Sequence, residues 1–241
     1  MKSYKQKIYE RYLSGHNQQL YGENSLAKIK AAAPVFQHFY GRHLPADRTA
    51  GILEIGCGDG NFVYHLQQQG YTNVRGVDYS AELIEAGRRL GIADLHQADL
   101  SQFLSENQTP FDAIVAKDVI EHFTKEEAFA TLELISKNLR DGGRFILQVP
   151  NGQGLFYASV FYGDFTHEVA YTESSLSQLA LNTGFKRARC YPTGPIPTGV
   201  VAALRAFLWK IKVAELRFWK MVETGNPSGI FTQNIIAVME K

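Results

Sequence analysis

Gly51-Ile-Leu-Glu-Ile-Gly-Cys-Gly-Asp-Gly-Asn61 decides the fold of this chain. Ile52 to Ile55 is a short, mostly apolar run that suits a buried strand. Three glycines follow, Gly56, Gly58 and Gly60, and then a helical pattern, Phe62-Val63-Tyr64-His65-Leu66. Strand, glycine turn and helix together put backbone N–H groups and a helix N-terminus beside a ligand. Glycine suits such a turn because it reaches unusual φ values and brings no Cβ to block the ligand. A dinucleotide turn reads G-x-G-x-x-G. Here Asn61 stands where the third glycine of that pattern would be, and the acids Glu54 and Asp59 flank the turn. Those acids would repel a pyrophosphate and suit a ligand carrying positive charge. A glycine turn with no ligand is the plain alternative for the motif taken alone.

Working outward, Val74-Arg-Gly-Val77 reads as a second buried strand ending at Asp78. Asp78 lies about 20 residues past the glycines, where a nucleotide-binding α/β unit places a carboxylate on the ribose hydroxyls. Ser80 is placed to cap the next helix, Ala81 to Leu90, which leaves Asp78 for the ligand. Ala93 to Ala98 reads as a third strand, with Asp99 and Leu100 after it. Phe111 to Ala116 is a clear fourth strand, and Lys117-Asp-Val-Ile-Glu-His122 falls at its carboxyl end. Open α/β sheets bind ligands at that end, so the hexapeptide belongs at the mouth of a site, and Lys117 is counted with the cofactor residues. Thr124 is expected to cap a helix to about Leu139, and Arg144 to Val149 to form the fifth strand. Residues 151–172 are aromatic and irregular. A helix opening at Ser174/Ser175, a strand from Phe185 to Tyr191, a helix from Val200 to Thr224 and a strand from Phe231 to Met239 complete the pattern.

Before the first strand, Ile8, Tyr12 and Leu13 suggest one helix. Leu26, Ile29, Ala33, Phe36 and Tyr40 suggest a second. In the long late helix, Leu204, Phe207, Ile211, Ala214, Phe218 and Met221 recur at spacings of three and four, one stripe expected to pack on its own domain or a second subunit. The other face mixes Arg205, Lys210, Lys212, Arg217 and Lys220 with Trp209 and Trp219.

The turn Glu54-x-Gly56-x-Gly58-x-Gly60 resembles motif I of the class I S-adenosylmethionine (SAM)-dependent methyltransferases, and the strand order with Arg140-Asp-Gly-Gly143 resembles the same family over roughly residues 50 to 190. The resemblance implies an α/β, Rossmann-like, seven-stranded, mostly parallel sheet with helices on both faces, an antiparallel last strand, N-terminal helices and a long helix inserted before the last strand. It divides the chain into a helical cap at 1–48, a SAM-binding core at 49–198, an inserted amphipathic helix at 199–226 and the last core strand at 227–241. It implies SAM as cofactor, held by Glu54, Gly56, Gly58, Gly60 and Asp78, with Tyr79 against the adenine, Asp99 accepting from the adenine amino group and the Leu100 N–H donating to the ring. The leading segment would cover the cofactor and help form the acceptor pocket, which makes Tyr12 and His16 candidates.

The totals limit the rest. The chain has 241 residues and a formal net charge of +1, so it is not built electrostatically for nucleic acid. Lys117-Asp118-Val119-Ile120 stands where a nucleic-acid methyltransferase carries Asn/Asp-Pro-Pro-aromatic. Cys57 and Cys190 lie far apart, which fits a reducing cytoplasm. The first residues lack a signal peptide's apolar core, and no apolar run is long enough to span a bilayer.

Methyl transfer to a hydroxyl needs a nucleophile placed in line and a group to take its proton. His167, in the aromatic loop beside Asp164 and Glu168, is the expected base, with one of those acids orienting it; His122, after Glu121, competes. Asp118-x-x-Glu121-His122 resembles an element of ubiquinone-pathway O-methyltransferases associated with a divalent metal, although a metal is not the favoured reading. Pro150-Asn151, Asp164-x-Thr-His167 and the long basic-aromatic helix resemble methyltransferases of bacterial surface-polysaccharide clusters. That implies a sugar hydroxyl as acceptor, with the 200–224 helix resting on the inner face of the membrane or pairing in a homodimer. The alternatives are a quinone-like phenol or other small molecule, a non-catalytic SAM-binding partner protein, and a nucleotide-linked dehydrogenase, which Asn61 and Glu54 disfavour.

Overall fold

Ile52–Ile55 forms β1, buried along its whole length in the middle of the sheet. The computed structural model to which it belongs describes residues 4–9 and 24–241. Before β1 come α1 (Tyr4–Tyr9) and α2 (Leu26–Tyr40). After it come α3 (Asn61–Gln68), β2 (Val74–Asp78), α4 (Ala81–Arg89), β3 (Leu95–Gln97), α5 (Leu100–Glu106) and β4 (Phe111–Lys117). The chain continues through α6 (Lys125–Lys137), β5 (Leu139–Pro150), α7 (Tyr157–Phe161), α8 (Glu173–Asn182), β6 (Arg187–Pro192), α9 (Val200–Thr224) and β7 (Asn234–Glu240). The strand order is β3-β2-β1-β4-β5-β7-β6, and β7 runs antiparallel to both of its neighbours. This is the expected seven-stranded Rossmann-like sheet.

Alternation along the strands divides the core between the two faces. Leu53 and Ile55 of β1 and Ile114 of β4 pack with Leu104, Leu132, Ile135 and Leu176 from α5, α6 and α8. Ile52, Ala113 and Val115 point the other way, against Ile29, Phe62, Leu66 and Ile84 from α2, α3 and α4. The register starts β1, β2 and β4 together, with Ile52 opposite both Val74 and Ala113. Their carboxyl ends therefore emerge side by side. That places the glycine turn, Asp78 and Lys117 along one edge.

Several boundaries move for physical reasons. The Thr172 hydroxyl, not Ser174 or Ser175, caps α8 by accepting from the Ser175 N–H. Phe185 precedes β6 and is buried against Phe145, with ring centroids 6.3 Å apart. A short helix, α7, interrupts the aromatic loop that was expected to be irregular.

The long helix has the expected limits, but its facing corrects the expectation that the stripe packs on its own domain. None of its 25 residues is buried. The stripe expected to pack is the exposed one: Leu204, Phe207, Ile211, Phe218 and Met221 all face solvent. The half-buried side carries Ala202, Ala206, Trp209, Val213 and Leu216. Both faces are apolar, so periodicity could not say which one meets the body. The indole of Trp209 lies against Gly194, where an added Cβ would come 3.5 Å from the ring.

Candidate functional site

Gly56, Gly58 and Gly60 all have positive φ, which turns the chain sharply from β1 into α3. A Cβ on Gly56 would come 2.4 Å from Val119, so the turn lies directly against the segment that follows β4. A Cβ on Gly58 would meet nothing within 4 Å, which leaves the backbone open to the cleft. Asp78 pins this turn to β2: one carboxylate oxygen accepts from the Gly58 N–H at 2.8 Å and the other from the Ser80 N–H at 2.8 Å. Burial pushes its carboxyl up, and those backbone donors pull it partly back. Ser80 caps α4 as expected. Tyr79 beside them is 43% exposed, so its ring is open to a ligand.

Glu54 is wholly buried, and neither carboxylate oxygen makes an aligned hydrogen bond. Lys117 Nζ lies 3.2 Å away and also sits over the rings of Phe36 and Phe62. Burial pushes the Glu54 carboxyl up to about 7 against the opposing pull of Lys117. An open left-handed turn beside a carboxylate with unsatisfied oxygens fits a cationic, amine-bearing nucleoside such as SAM. Asp99 accepts from the Gln102 N–H at 3.0 Å as the cap of α5, and Leu100 is that helix's first residue. Burial holds the Cys57 thiol protonated, so it is no nucleophile.

Two side-chain networks flank the exit of β4. On one side Tyr40 donates to Gln148 at 2.9 Å, and Gln148 donates to Asp118 at 3.0 and 3.2 Å. Asp118 has φ 55, a left-handed backbone that is rare for a non-glycine residue and typical of site positions. This network lines a cleft of about 380 Å³ together with Phe36, Phe39, Lys117, Thr193, Gln233 and Asn234. The side-chain oxygen of Asn234 is buried without a hydrogen-bond partner.

On the other side Thr166 donates to Asp164 from its N–H at 2.8 Å and from its hydroxyl at 2.6 Å. Its hydroxyl proton is therefore committed, and Thr166 Oγ1 accepts from His122 Nδ1 at 2.8 Å. Burial would raise the Asp164 carboxyl, but the two bonds from Thr166 outweigh it and the net shift is downward. Burial and the neighbouring His167 lower His122 to about 4. The His167 ring stands 4.6 Å from that of His122, and its Nδ1 donates to the Phe161 carbonyl at 2.9 Å. In the neutral His167 ring the lone pair then sits on Nε2.

The acids do not orient His167 as expected. Glu168 instead accepts from Tyr4 at 2.7 Å and pairs with Lys5 at 2.9 Å, both from α1. Lys5 also donates to the His122 carbonyl at 2.7 Å, so α1 covers the histidine pair. Asp164 acts on His122 through Thr166. Tyr12 and His16 lie outside the described residues.

Glu121 is wholly buried and neither carboxylate oxygen has a hydrogen-bond partner; burial and the nearby Asp118 hold its carboxyl well above the usual range. Glu121, His122 and His167 each bring one ligand atom within 4.8 Å of the others. This donor set fits a divalent cation. It contains His167 in place of Asp118, which the motif had suggested and which Gln148 holds on the cleft side. Tyr40, Gln148, Gln233 and Asn234 gave no local signal in the sequence; only the sheet brings them together.

A family model described as a methyltransferase domain matches residues 28–188. The chain belongs to this methyltransferase-domain family. A ubiquinone biosynthesis O-methyltransferase of Xylella fastidiosa is 29% identical over 51% of this chain and 50% of that one. A trans-aconitate 2-methyltransferase of Azoarcus is 33% identical over 44% of this chain and 42% of that one. The chain thus matches half or less of the length of these relatives. In fold it is similar to a SAM-dependent methyltransferase from Archaeoglobus fulgidus, with TM-score 0.65 and 18% identity, covering 89% of this chain and 96% of that one. It is likewise similar to DhpI solved with SAM, with TM-score 0.62 and 14% identity over 100% of both chains.

Proposed function

We propose that this methyltransferase-family chain binds SAM at the glycine turn and methylates a sugar-like hydroxyl, with His167 as general base. The observation that carries the reading is the His167 tautomer: Nδ1 is tied to the Phe161 carbonyl, which leaves Nε2 to accept a proton. When bound, SAM supplies an electrophilic methyl on a sulfonium. Gly58, Asp78 and Glu54 would hold its amino-acid and ribose parts. His167 would take the acceptor's hydroxyl proton at Nε2, which leaves the oxygen free to accept the methyl that SAM would supply. Asp118 and Asp164 lie close enough for their charges to act on the resulting imidazolium. His122, held near 4, is a poor base at neutral pH. A divalent cation, if bound, would be held by Glu121, His122 and His167; it would occupy the His167 lone pair and so would take over that residue's role by acidifying a bound hydroxyl.

The acceptor side favours a polyhydroxylated ligand. Asp118, Gln148, Thr193, Gln233 and Asn234 offer hydrogen bonds opposite the rings of Phe36 and Phe39. Thr193, Gln233 and Asn234 lie beyond the span of the family model. A second reading, a quinone-like phenol, draws on the printed activity of the Xylella relative. Labelled SAM offered with nucleotide sugars, glycan extracts and catechols separates the two. Transfer to the sugars supports the proposal. Transfer to catechols alone replaces the acceptor, and SAM binding with no transfer to any acceptor would leave a binding protein.

A further inference from the structure

The exposed face of α9 is the largest feature that methyl transfer leaves unused. At about 100° per residue, Leu204, Phe207, Leu208, Ile211, Phe218 and Trp219 fall within an arc of roughly 120° on the solvent side. Phe207 and Trp219 are each 60% exposed. The only charge inside that arc is Glu215, and Lys212 neutralises it at 2.9 Å. Cations flank the arc on both sides: Lys210 and Arg217 beyond one edge, Arg205 and Lys212 beyond the other, where Glu223 also stands. Arg205, Lys210 and Arg217 have no carboxylate within 4.0 Å among the described residues. The helix carries five basic and two acidic side chains in a chain whose net charge is +1, so the remainder is net acidic and the positive charge is concentrated here.

We propose that α9 is an interfacial helix that docks this protein on an anionic phospholipid surface. An apolar face edged on both sides by cations lets the hydrocarbon side chains enter the acyl boundary while Lys and Arg remain with the headgroups. A second copy fits less well. Packing two such faces about a two-fold axis would set the basic borders against each other, with only Glu215 and Glu223 to offset them. No helix among the described residues is long and apolar enough to cross a membrane, so contact through α9 is peripheral. Trp209, on the inner side of α9, lies against Gly194, the neighbour of Thr193 in the cleft lining. Docking would therefore bring the acceptor cleft close to lipid.

The test is co-sedimentation of the full chain with vesicles of pure phosphatidylcholine and of equimolar phosphatidylcholine and phosphatidylglycerol. Binding is expected only to the anionic vesicles. It should weaken by about tenfold or more in Lys210→Glu with Arg217→Glu, and equally in Phe207→Ser with Trp219→Ser. Circular dichroism and SAM titration confirm that each variant is folded, since none of these residues touches the cleft. Equal binding to both vesicle types, no binding by folded protein, or a dimer that the Phe207/Trp219 variant dissociates would each overturn the proposal. The outcome is independent of methyl transfer, which the acceptor panel reads separately.

Discussion

At the carboxyl ends of β1 and β2, the key carboxylate is held by backbone N–H groups. Asp78 takes the N–H groups of Gly58 and Ser80, and the turn itself is three left-handed glycines. Where β5, the aromatic loop and β7 meet, the same work falls to side chains brought from far apart in sequence: Tyr40 to Gln148, His122 to Thr166, Tyr4 to Glu168. The first region recognises one constant ligand with a preformed frame. The second can change its acceptor by exchanging side chains without disturbing the frame. Damage to the first should thus cost folding and cofactor affinity, and damage to the second should cost turnover.

The largest expected effect lies on the acceptor side. His167→Ala should lower turnover by about a hundredfold or more while the SAM dissociation constant holds; a parallel loss of SAM affinity would merge the two regions. Next is Gly56→Ala, which forces a side chain onto Val119 from a left-handed backbone. Denaturant unfolding should show a loss of about 3 kcal/mol. Asp78→Ala should weaken SAM binding by about 1–3 kcal/mol by calorimetry, because the ribose hydroxyls and the Gly58 and Ser80 N–H groups lose an acceptor. The smallest effect belongs to α9: Phe207→Ser should change stability by no more than about 0.5 kcal/mol. A buried phenylalanine would cost several times that, so a large drop would mean that the face is covered.

What could be read beforehand follows the same division. Gly56, Gly58, Gly60 and Asp78 announce themselves because turn chemistry and strand ends are local signals. The limits of α9 were equally plain, but its orientation was not, since Trp209 and Leu216 on one side are as apolar as Phe207 and Phe218 on the other. Asp164 and Glu168 flank His167 in sequence, and one of them was expected to orient it. The fold instead joins Asp164 through Thr166 to His122, 44 residues before Thr166, pairs Glu168 with Lys5, and ties His167 to a backbone carbonyl. Neither the left-handed turn at Asp118 nor the Tyr40–Gln148 link has any local cause. Both depend on where β4 and β5 end relative to α2.

The placement of β7 between β5 and β6 bears on how the protein is made. As the ribosome works forward, β6 emerges with no sheet neighbour to receive it, since its only pairing strand begins 42 positions after Pro192. At about 5–20 residues per second, that leaves roughly 2–8 s in which two raw strand edges and the greasy α9 coexist on a nascent chain. Trigger-type chaperones, or early contact with lipid, would have their chief occasion to act in that interval.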